Sequence, residues 1–190
     1  MRIAAPALLV LLASSPAHAD NGKGAAFDFG YVRSRVGVTD QTSLDADQAR
    51  FGIRIGVGRL FHFGAEVDNG RVQGQTALPT GTVSRTTGGE PYSGPLGGNS
   101  LSLKAYGGLH SIHGKLMLGG DAALGVRDTW VESDAGMDVA GYKAEPLIEL
   151  RARAEYFLTS SMTFGAVAST DMLDRRNVSL AAVFSLNFVE

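Results

Sequence analysis

The chain lacks cysteine, a marked excess of charge of either sign and, beyond its N-terminus, any long apolar run. Its 190 residues include no Cys, which excludes disulfides, thiolate metal sites and a cysteine nucleophile. The 17 basic and 19 acidic residues nearly cancel, so we expect no nucleic-acid partner, because phosphates require a clustered basic surface. A membrane-spanning helix would need about 20 consecutive apolar residues. Glycine, by contrast, is abundant at 25 residues, which disfavours long helices.

The N-terminal residues are typical of a secretory signal peptide. Arg2 supplies a positive charge, residues 4–13 are apolar apart from one proline, and Ala17-His18-Ala19 has the small residues of a cleavage site. A buried N-terminal helix is the alternative, but nothing downstream resembles a helical partner. We therefore expect a signal peptide over residues 1–19 with cleavage near Ala19, a short N-terminal segment over residues 20–26, and a mature protein located beyond the inner membrane.

From residue 27 onward, apolar and polar residues alternate with a period of two, which is typical of β-strands. The stretch 148–156, for example, places Leu150 on one face and Arg151 and Arg153 on the other. Charges at that spacing would be scattered around a helix, so a helical interpretation is disfavoured. The pattern predicts eight strands, over residues 27–38, 50–60, 61–71, 100–109, 115–127, 148–156, 162–169 and 178–188.

The connections between these strands alternate in length. Tight turns are expected at 58–60, 110–114 and 158–161, whereas the links at 39–49, 72–99 and 128–144 are long and the link at 171–176 is shorter. Short turns at one end and long loops at the other predict an all-β, eight-stranded antiparallel up-and-down β-barrel over residues 27–188.

The polar faces of the strands carry both charges and many glycines, while the apolar faces are nearly free of charge. A soluble barrel would turn the charges outward, but its surface would not need so many glycines. Strands of about 9–11 residues match the thickness of a membrane, whereas soluble strands more often have about 5–6. We therefore expect a transmembrane barrel, too narrow for a wide channel, with a lumen charge network. Its members are Arg54, Glu66, Asp68, Lys104, Lys115, Asp121, Glu149, Arg151, Arg153 and Glu155.

Aromatic residues collect near the predicted short turns. At one level of a membrane barrel they would form a ring at the lipid headgroups. The alternative is that they are core aromatics of a soluble sandwich. The expected interfacial aromatics are Phe27, Phe29, Phe61, Phe63, Tyr156, Phe157, Phe164, Phe184 and Phe188.

The first strand does not keep one simple alternation. Phe27, Phe29 and Tyr31 share a phase with Arg33 and Arg35, whereas the valines that follow have the opposite phase. Either a β-bulge between Tyr31 and Arg33 shifts the register, or the aromatic side chains point inward. We favour the bulge.

With its signal peptide, eight alternating strands and short-turn/long-loop asymmetry, the chain resembles the small outer-membrane barrels of the OmpA/OmpX/OmpW type. The resemblance implies an integral outer-membrane protein of a Gram-negative bacterium, a monomer that contacts outer-membrane lipid and lipopolysaccharide. It also implies insertion by the barrel assembly machinery, which in that family reads a final aromatic residue. Here Val189 and Glu190 follow Phe188, so recognition of this end departs from the family pattern.

Two groups of residues invite a chemical function. His110-Ser111-Ile112-His113 lies in a predicted turn without a third ligand, so a solvated turn is favoured over a metal site. Asp128, Glu132, Asp134 and Asp138 have irregular spacing, which favours a solvated loop over a divalent-ion site. No Gly-x-Ser-x-Gly nucleophile motif occurs. We therefore expect no catalytic residue, no metal and no cofactor.

The leading hypothesis is a non-enzymatic outer-membrane protein with a structural or surface-interaction role through long extracellular loops. Three alternatives remain open: a small pore or transporter for ions or apolar solutes, a lipid-modifying enzyme, and a soluble periplasmic barrel that binds a ligand.

Overall fold

The structure, a computed structural model, describes residues 24–37, 43–57, 60–78, 92–133 and 138–188. The expected signal peptide and its cleavage site lie outside these residues. The described chain forms strands β1 (Gly24–Gly37), β2 (Ser43–Val57), β3 (Phe61–Leu78), β4 (Tyr92–His113), β5 (Leu116–Ser133), β6 (Asp138–Thr159), β7 (Met162–Asp171) and β8 (Val178–Phe188). None of the described residues belongs to a helix long and apolar enough to cross a membrane.

Each strand pairs antiparallel with the next along the chain, and β8 pairs with β1 to close the barrel. The predicted all-β, eight-stranded antiparallel up-and-down barrel is therefore confirmed. Closure matters because each strand of the wall has a neighbour on both sides, so its backbone N–H and C=O groups are paired without water. The barrel begins at Gly24, three residues earlier than expected.

The prediction of long loops was wrong in extent, because most of their residues are strand. β2 begins at Ser43, β3 continues to Leu78, β4 begins at Tyr92 and β6 begins at Asp138. Several outward positions in these extensions are polar, among them Asp45, Gln73 and Asn99, so the extensions do not show the apolar outer face by which the membrane-level strands were recognised. Residues 38–42, 79–91 and 134–137, which fall in the expected loops, lie outside the described part of the chain.

The bulge expected in β1 does not occur. The register of β1 with β2 is continuous from Gly24 to Gly37, and Phe27, Tyr31 and Arg33 all lie on the exposed outer face. The change from aromatic to basic residues instead marks the point where the strand leaves the apolar part of the surface. There the Tyr31 hydroxyl donates a hydrogen bond to Asp47 on β2.

The link between β7 and β8 is short and fixed by side chains. Asn177 accepts a hydrogen bond from the backbone N–H of Gly37 at 2.6 Å, which ties the link to the end of β1. Arg176 contacts Asp174 at 2.6 Å, and its hydrogen bond lowers the pKa of the Asp174 carboxyl. The wall formed by β7 and β8 is shorter along the barrel axis than the wall formed by β3 to β6, because its strands have fewer residues.

Candidate functional site

The outer face of the barrel wall is apolar over most of its height. Leu103 is 56% exposed and Leu124 62%, and neighbouring strands carry similar side chains at the same level. Water-soluble proteins bury such residues and expose their charges. The distribution here is the opposite one, because the charges of the same strands are inside.

Of the residues that the structure describes, six basic and seven acidic side chains are buried. Nine of the ten expected lumen residues are among them: Arg54, Glu66, Asp68, Lys104, Asp121, Glu149, Arg151, Arg153 and Glu155. Lys115 is the exception, because it lies in the turn between β4 and β5 and is only partly buried. Four buried charges were not expected, namely Asp28, Arg50, Arg127 and Asp171. For Arg50 and Arg127 the sequence already indicated the inward direction, because they lie an even number of residues from Arg54 and Asp121 on the same strands and therefore share their face.

The first of two charge clusters surrounds Lys104 and Arg50. Lys104 Nζ lies 2.9 Å from Glu66, 2.7 Å from Asp68 and 3.3 Å from Glu149. Arg50 approaches the same acids, with Nε 2.7 Å from Asp68 and Nη2 3.2 Å from Glu66. Two cations and three carboxylates thus share one buried site, and removal of any one would leave the others with less compensating charge.

The second cluster is centred on Glu155, which is 1% exposed. Its carboxylate accepts hydrogen bonds from Arg54 at 2.8 Å, from Arg153 at 2.6 Å and from the Thr163 hydroxyl at 2.7 Å. Asp28 lies 3.3 Å from both guanidinium groups. The arrangement is a compact square of two acids and two bases on three strands of the barrel, β1, β2 and β6.

Arg151 joins the two clusters. It lies 2.9 Å from Glu66 of the first cluster and 2.8 Å from Asp121, which borders the second. Its guanidinium also lies 4.5 Å from the centre of the Tyr106 ring, a favourable cation–π geometry. Tyr106 itself packs over Gly64, where an added Cβ would come within 2.7 Å of the ring. The polar filling of the barrel is therefore continuous across the lumen.

Little space remains inside this filling. A cavity of about 20 Å³ is lined by charged side chains that include Asp68, Lys104, Arg127 and Glu149. A single water needs about 10–15 Å³ by the same measure. The cavity thus suits one ordered water rather than a path for hydrated ions or a solute.

Toward the long-loop end the pattern of the wall reverses. Val36, Leu44, Val72 and Leu96 lie inside with two further apolar residues and form a buried cluster. On the outer face at this end Arg33 and Arg35 are exposed by 68% and 59% and lie within ion-pair distance of Asp45. This end therefore resembles a water-soluble barrel, and its apolar core covers the charged lumen.

The expected interfacial aromatics divide into three groups. Six are exposed on the outer face, namely Phe27, Phe29, Phe61, Phe63, Phe164 and Phe188. Tyr156 and Phe184 are partly buried. Phe157 was assigned wrongly, because it is only 8% exposed and faces the interior. The reason is the alternation of β6: Tyr156 and Phe157 are adjacent, and only one of two adjacent strand residues can face outward.

The histidines also differ from expectation. His110 is not in a solvated turn, because β4 continues to His113 and the turn that follows begins at Gly114, with φ +62°. His110 is buried, and its Nδ1 lies 3.2 Å from Nδ1 of His62. His113 is exposed beside the Ser111 hydroxyl.

The acidic residues near the long-loop end form no metal cluster that the structure describes. Asp128 and Glu132 lie on β5 and Asp138 begins β6, whereas Asp134 is outside the described residues. Within the described strands, no group of three or more His, Asp or Glu side chains is placed to hold a metal ion.

Comparison with known proteins identifies the fold. No family model and no curated protein matches the sequence. Among solved structures, the chain is similar to Ail, the attachment invasion locus protein of Yersinia pestis, crystallised with the heparin analogue sucrose octasulfate. The TM-score is 0.57 at 14% identity, over 87% of this chain and 99% of that chain.

Two further barrels are similar over nearly their whole length. Neisserial surface protein A gives a TM-score of 0.52 at 12% identity, over 88% of this chain and 97% of that one. The N-terminal barrel domain of OprF from Pseudomonas aeruginosa gives 0.50 at 14% identity, over 88% and 99%. The chain therefore has the fold of the small eight-stranded outer-membrane β-barrels, as the sequence resemblance implied.

Proposed function

We propose that the chain is an integral outer-membrane protein of a Gram-negative bacterium, with a plugged lumen and a non-enzymatic role at the cell surface. The observation that carries this proposal is the inverted wall, with apolar side chains outside and paired charges inside. In water, an apolar belt of this extent would be an aggregation surface. In a bilayer it is the surface that matches the hydrocarbon, and the closed ladder gives each strand a hydrogen-bonded neighbour on both sides.

The filled lumen favours a structural or surface role over a pore. Reconstitution in planar bilayers tests this choice. We expect no steady conductance steps, because the two charge clusters and the apolar core at the long-loop end leave no aqueous path. A general porin inserted under the same conditions is the positive control, and a heat-dependent gel shift verifies that the sample is folded. Reproducible conductance steps would instead support the alternative of a small pore.

Cell fractionation separates the membrane proposal from the soluble alternative. We expect the mature protein in the outer-membrane fraction, with extraction only by detergent, because the outer face buries its apolar residues only against lipid. Release into buffer without detergent would support a soluble periplasmic barrel.

The exposed arginines of β1 give this surface a lipid contact. Arg33 and Arg35 lie just beyond the aromatic part of the outer face, at the long-loop end. Phosphate groups of lipopolysaccharide would lie at this level, and guanidinium groups bind phosphate well. We therefore assign lipopolysaccharide as a partner. Insertion would use the barrel assembly machinery, and a monomer is expected because closure leaves no free strand edge at membrane level.

The strands that extend past the apolar belt provide a surface for partners outside the cell. β3 and β4 pair as far as Leu78 and Tyr92, well beyond the level of Arg33. Ail, with a similar fold, is named as an attachment protein and was crystallised with a sulfated sugar. The paired extensions of β3 and β4 would present such contacts here.

A further inference from the structure

We propose that His62 and His110 form a binding site for a divalent ion of the nickel–copper–zinc group inside the short-turn end of the barrel. Both side chains are buried, at 4% and 7% exposure. They come from neighbouring strands, β3 and β4, and face each other across the inner surface. Both lie beside the two charge clusters rather than within them, and His62 contacts Asp121 at the border of the second.

The distance between the two nitrogens suits chelation. Nδ1 of His62 and Nδ1 of His110 are 3.2 Å apart. Zinc–imidazole bonds of about 2.0–2.1 Å at a tetrahedral angle place two ligand nitrogens about 3.3–3.4 Å apart. A small rotation of either ring therefore brings both lone pairs onto one ion. In the metal-free protein the same two atoms share one hydrogen bond.

His62 is already oriented as a metal ligand. Its Nε2 lies 3.3 Å from the Asp121 carboxylate, so this nitrogen carries the proton and Nδ1 keeps its lone pair. Asp121 is in turn held by Arg151 at 2.8 Å. A ligand histidine whose second nitrogen donates to a carboxylate is the usual arrangement in metal sites. When the ion binds, the proton of His110 would move from Nδ1 to Nε2, so that Nδ1 can coordinate the ion. Both imidazoles then stay neutral.

Two protein nitrogens leave the other coordination positions to water. The residue beside His62 on β2 is Gly56, which adds no side chain there. Gly108 and Gly119 on the other side are closely packed, since a Cβ added at either would meet a backbone oxygen within 3 Å, so these two positions offer no room. Imidazole nitrogen favours nickel, copper and zinc over calcium or magnesium, which prefer oxygen. Because the protein offers two nitrogen ligands, the site would therefore bind nickel, copper or zinc in preference to calcium or magnesium.

Titration of the folded, untagged and metal-stripped barrel in detergent tests the proposal, with Cu²⁺ and Zn²⁺ as probes and Ca²⁺ as the oxygen-preferring control. Calorimetry is expected to show one equivalent of Cu²⁺ bound and no binding of Ca²⁺. His62→Gln and His110→Gln should each lower the Cu²⁺ affinity by more than about tenfold, and Asp121→Asn by about tenfold, as outer-shell changes do. Electron paramagnetic resonance of the Cu²⁺ form should show two coordinated nitrogens.

The matched control is His113→Gln, because His113 lies on the same strand but is exposed. It should bind Cu²⁺ like the unmodified protein. The proposal is overturned by absence of binding, by a Cu²⁺ affinity of His62→Gln and His110→Gln that is unchanged from the unmodified protein, or by loss of binding in His113→Gln. A heat-dependent gel shift verifies that each variant is folded. If only one of the two glutamine variants folds, its Cu²⁺ affinity decides the test. The test needs no membrane localisation, so it can fail while the proposed function stands.

Discussion

Replacement of Glu155 by Ala is expected to lower the free energy of unfolding by about 3–5 kcal/mol, the cost of leaving buried charge without its partner. Arg54 and Arg153 would then share only Asp28, which lies 3.3 Å from each. The Thr163 hydroxyl would lose its acceptor as well. The loss is large because Glu155, Arg54 and Arg153 are all buried, at 1%, 6% and 3% exposure, so solvent screens the unpaired charges poorly.

Two variants control this measurement, which is urea-induced unfolding from lipid vesicles. Glu155→Gln keeps the shape of the side chain, so a smaller loss is expected. Asp45→Ala removes a carboxylate that is 46% exposed and pairs with Arg33, and such surface pairs contribute about 0–1 kcal/mol. A change below about 1 kcal/mol for Glu155→Ala, equal to that for Asp45→Ala, would show that the charges of the lumen are solvated.

Replacement of Leu150 by Arg is expected to cost about 2–4 kcal/mol of folding free energy in a bilayer. Leu150 is 50% exposed on the outer face and pairs with Ala122 and Thr170. Neither cross-strand partner carries a charge that could pair with a guanidinium at this position. The cost therefore comes from the lipid, which the arginine can leave only by bending toward the interface.

Gln73→Arg is the matched control, because Gln73 is exposed on β3 next to Asp45, beyond the apolar belt. It should change the folding free energy by less than about 0.5 kcal/mol, as surface substitutions do. The measurement is the folding equilibrium of both variants into lipid vesicles. Equal and small effects at the two positions would contradict a lipid-facing outer surface.

The strands and their orientation were predictable from local alternation. Arg151 and Arg153 share a phase with Glu149 and Glu155, so the assignment of that face to the lumen placed all four side chains inside. The short turns follow from the same pattern. Alternation does not show which side chains meet across the lumen. The contact of Arg54 with Glu155 joins β2 to β6, and only the closed barrel brings those strands together.

The errors have local physical causes. The loops were predicted too long because an apolar outer face was required of every strand, whereas Asp45 and Arg71 lie on strands beyond the lipid. The inward Leu44 and Val72 carried the signal that would have corrected this. For the same reason the bulge in β1 was not needed: Arg33 follows Tyr31 on one face because the surroundings change, not the register. His110 was missed because β4 continues four residues beyond its predicted end, to His113, and the alternation of the strand turns His110 inward.

The orientation of the wall is tested most directly by a single spin label, since the natural sequence has no Cys. Labels at Leu150→Cys and at Arg33→Cys are compared in lipid vesicles by collision with oxygen, which concentrates in hydrocarbon, and with a water-soluble nickel complex. We predict that the label at Leu150 collides mainly with oxygen and the label at Arg33 mainly with nickel. Nickel access at Leu150 equal to that at Arg33, or a label shielded from both reagents, would contradict a barrel whose apolar residues face lipid.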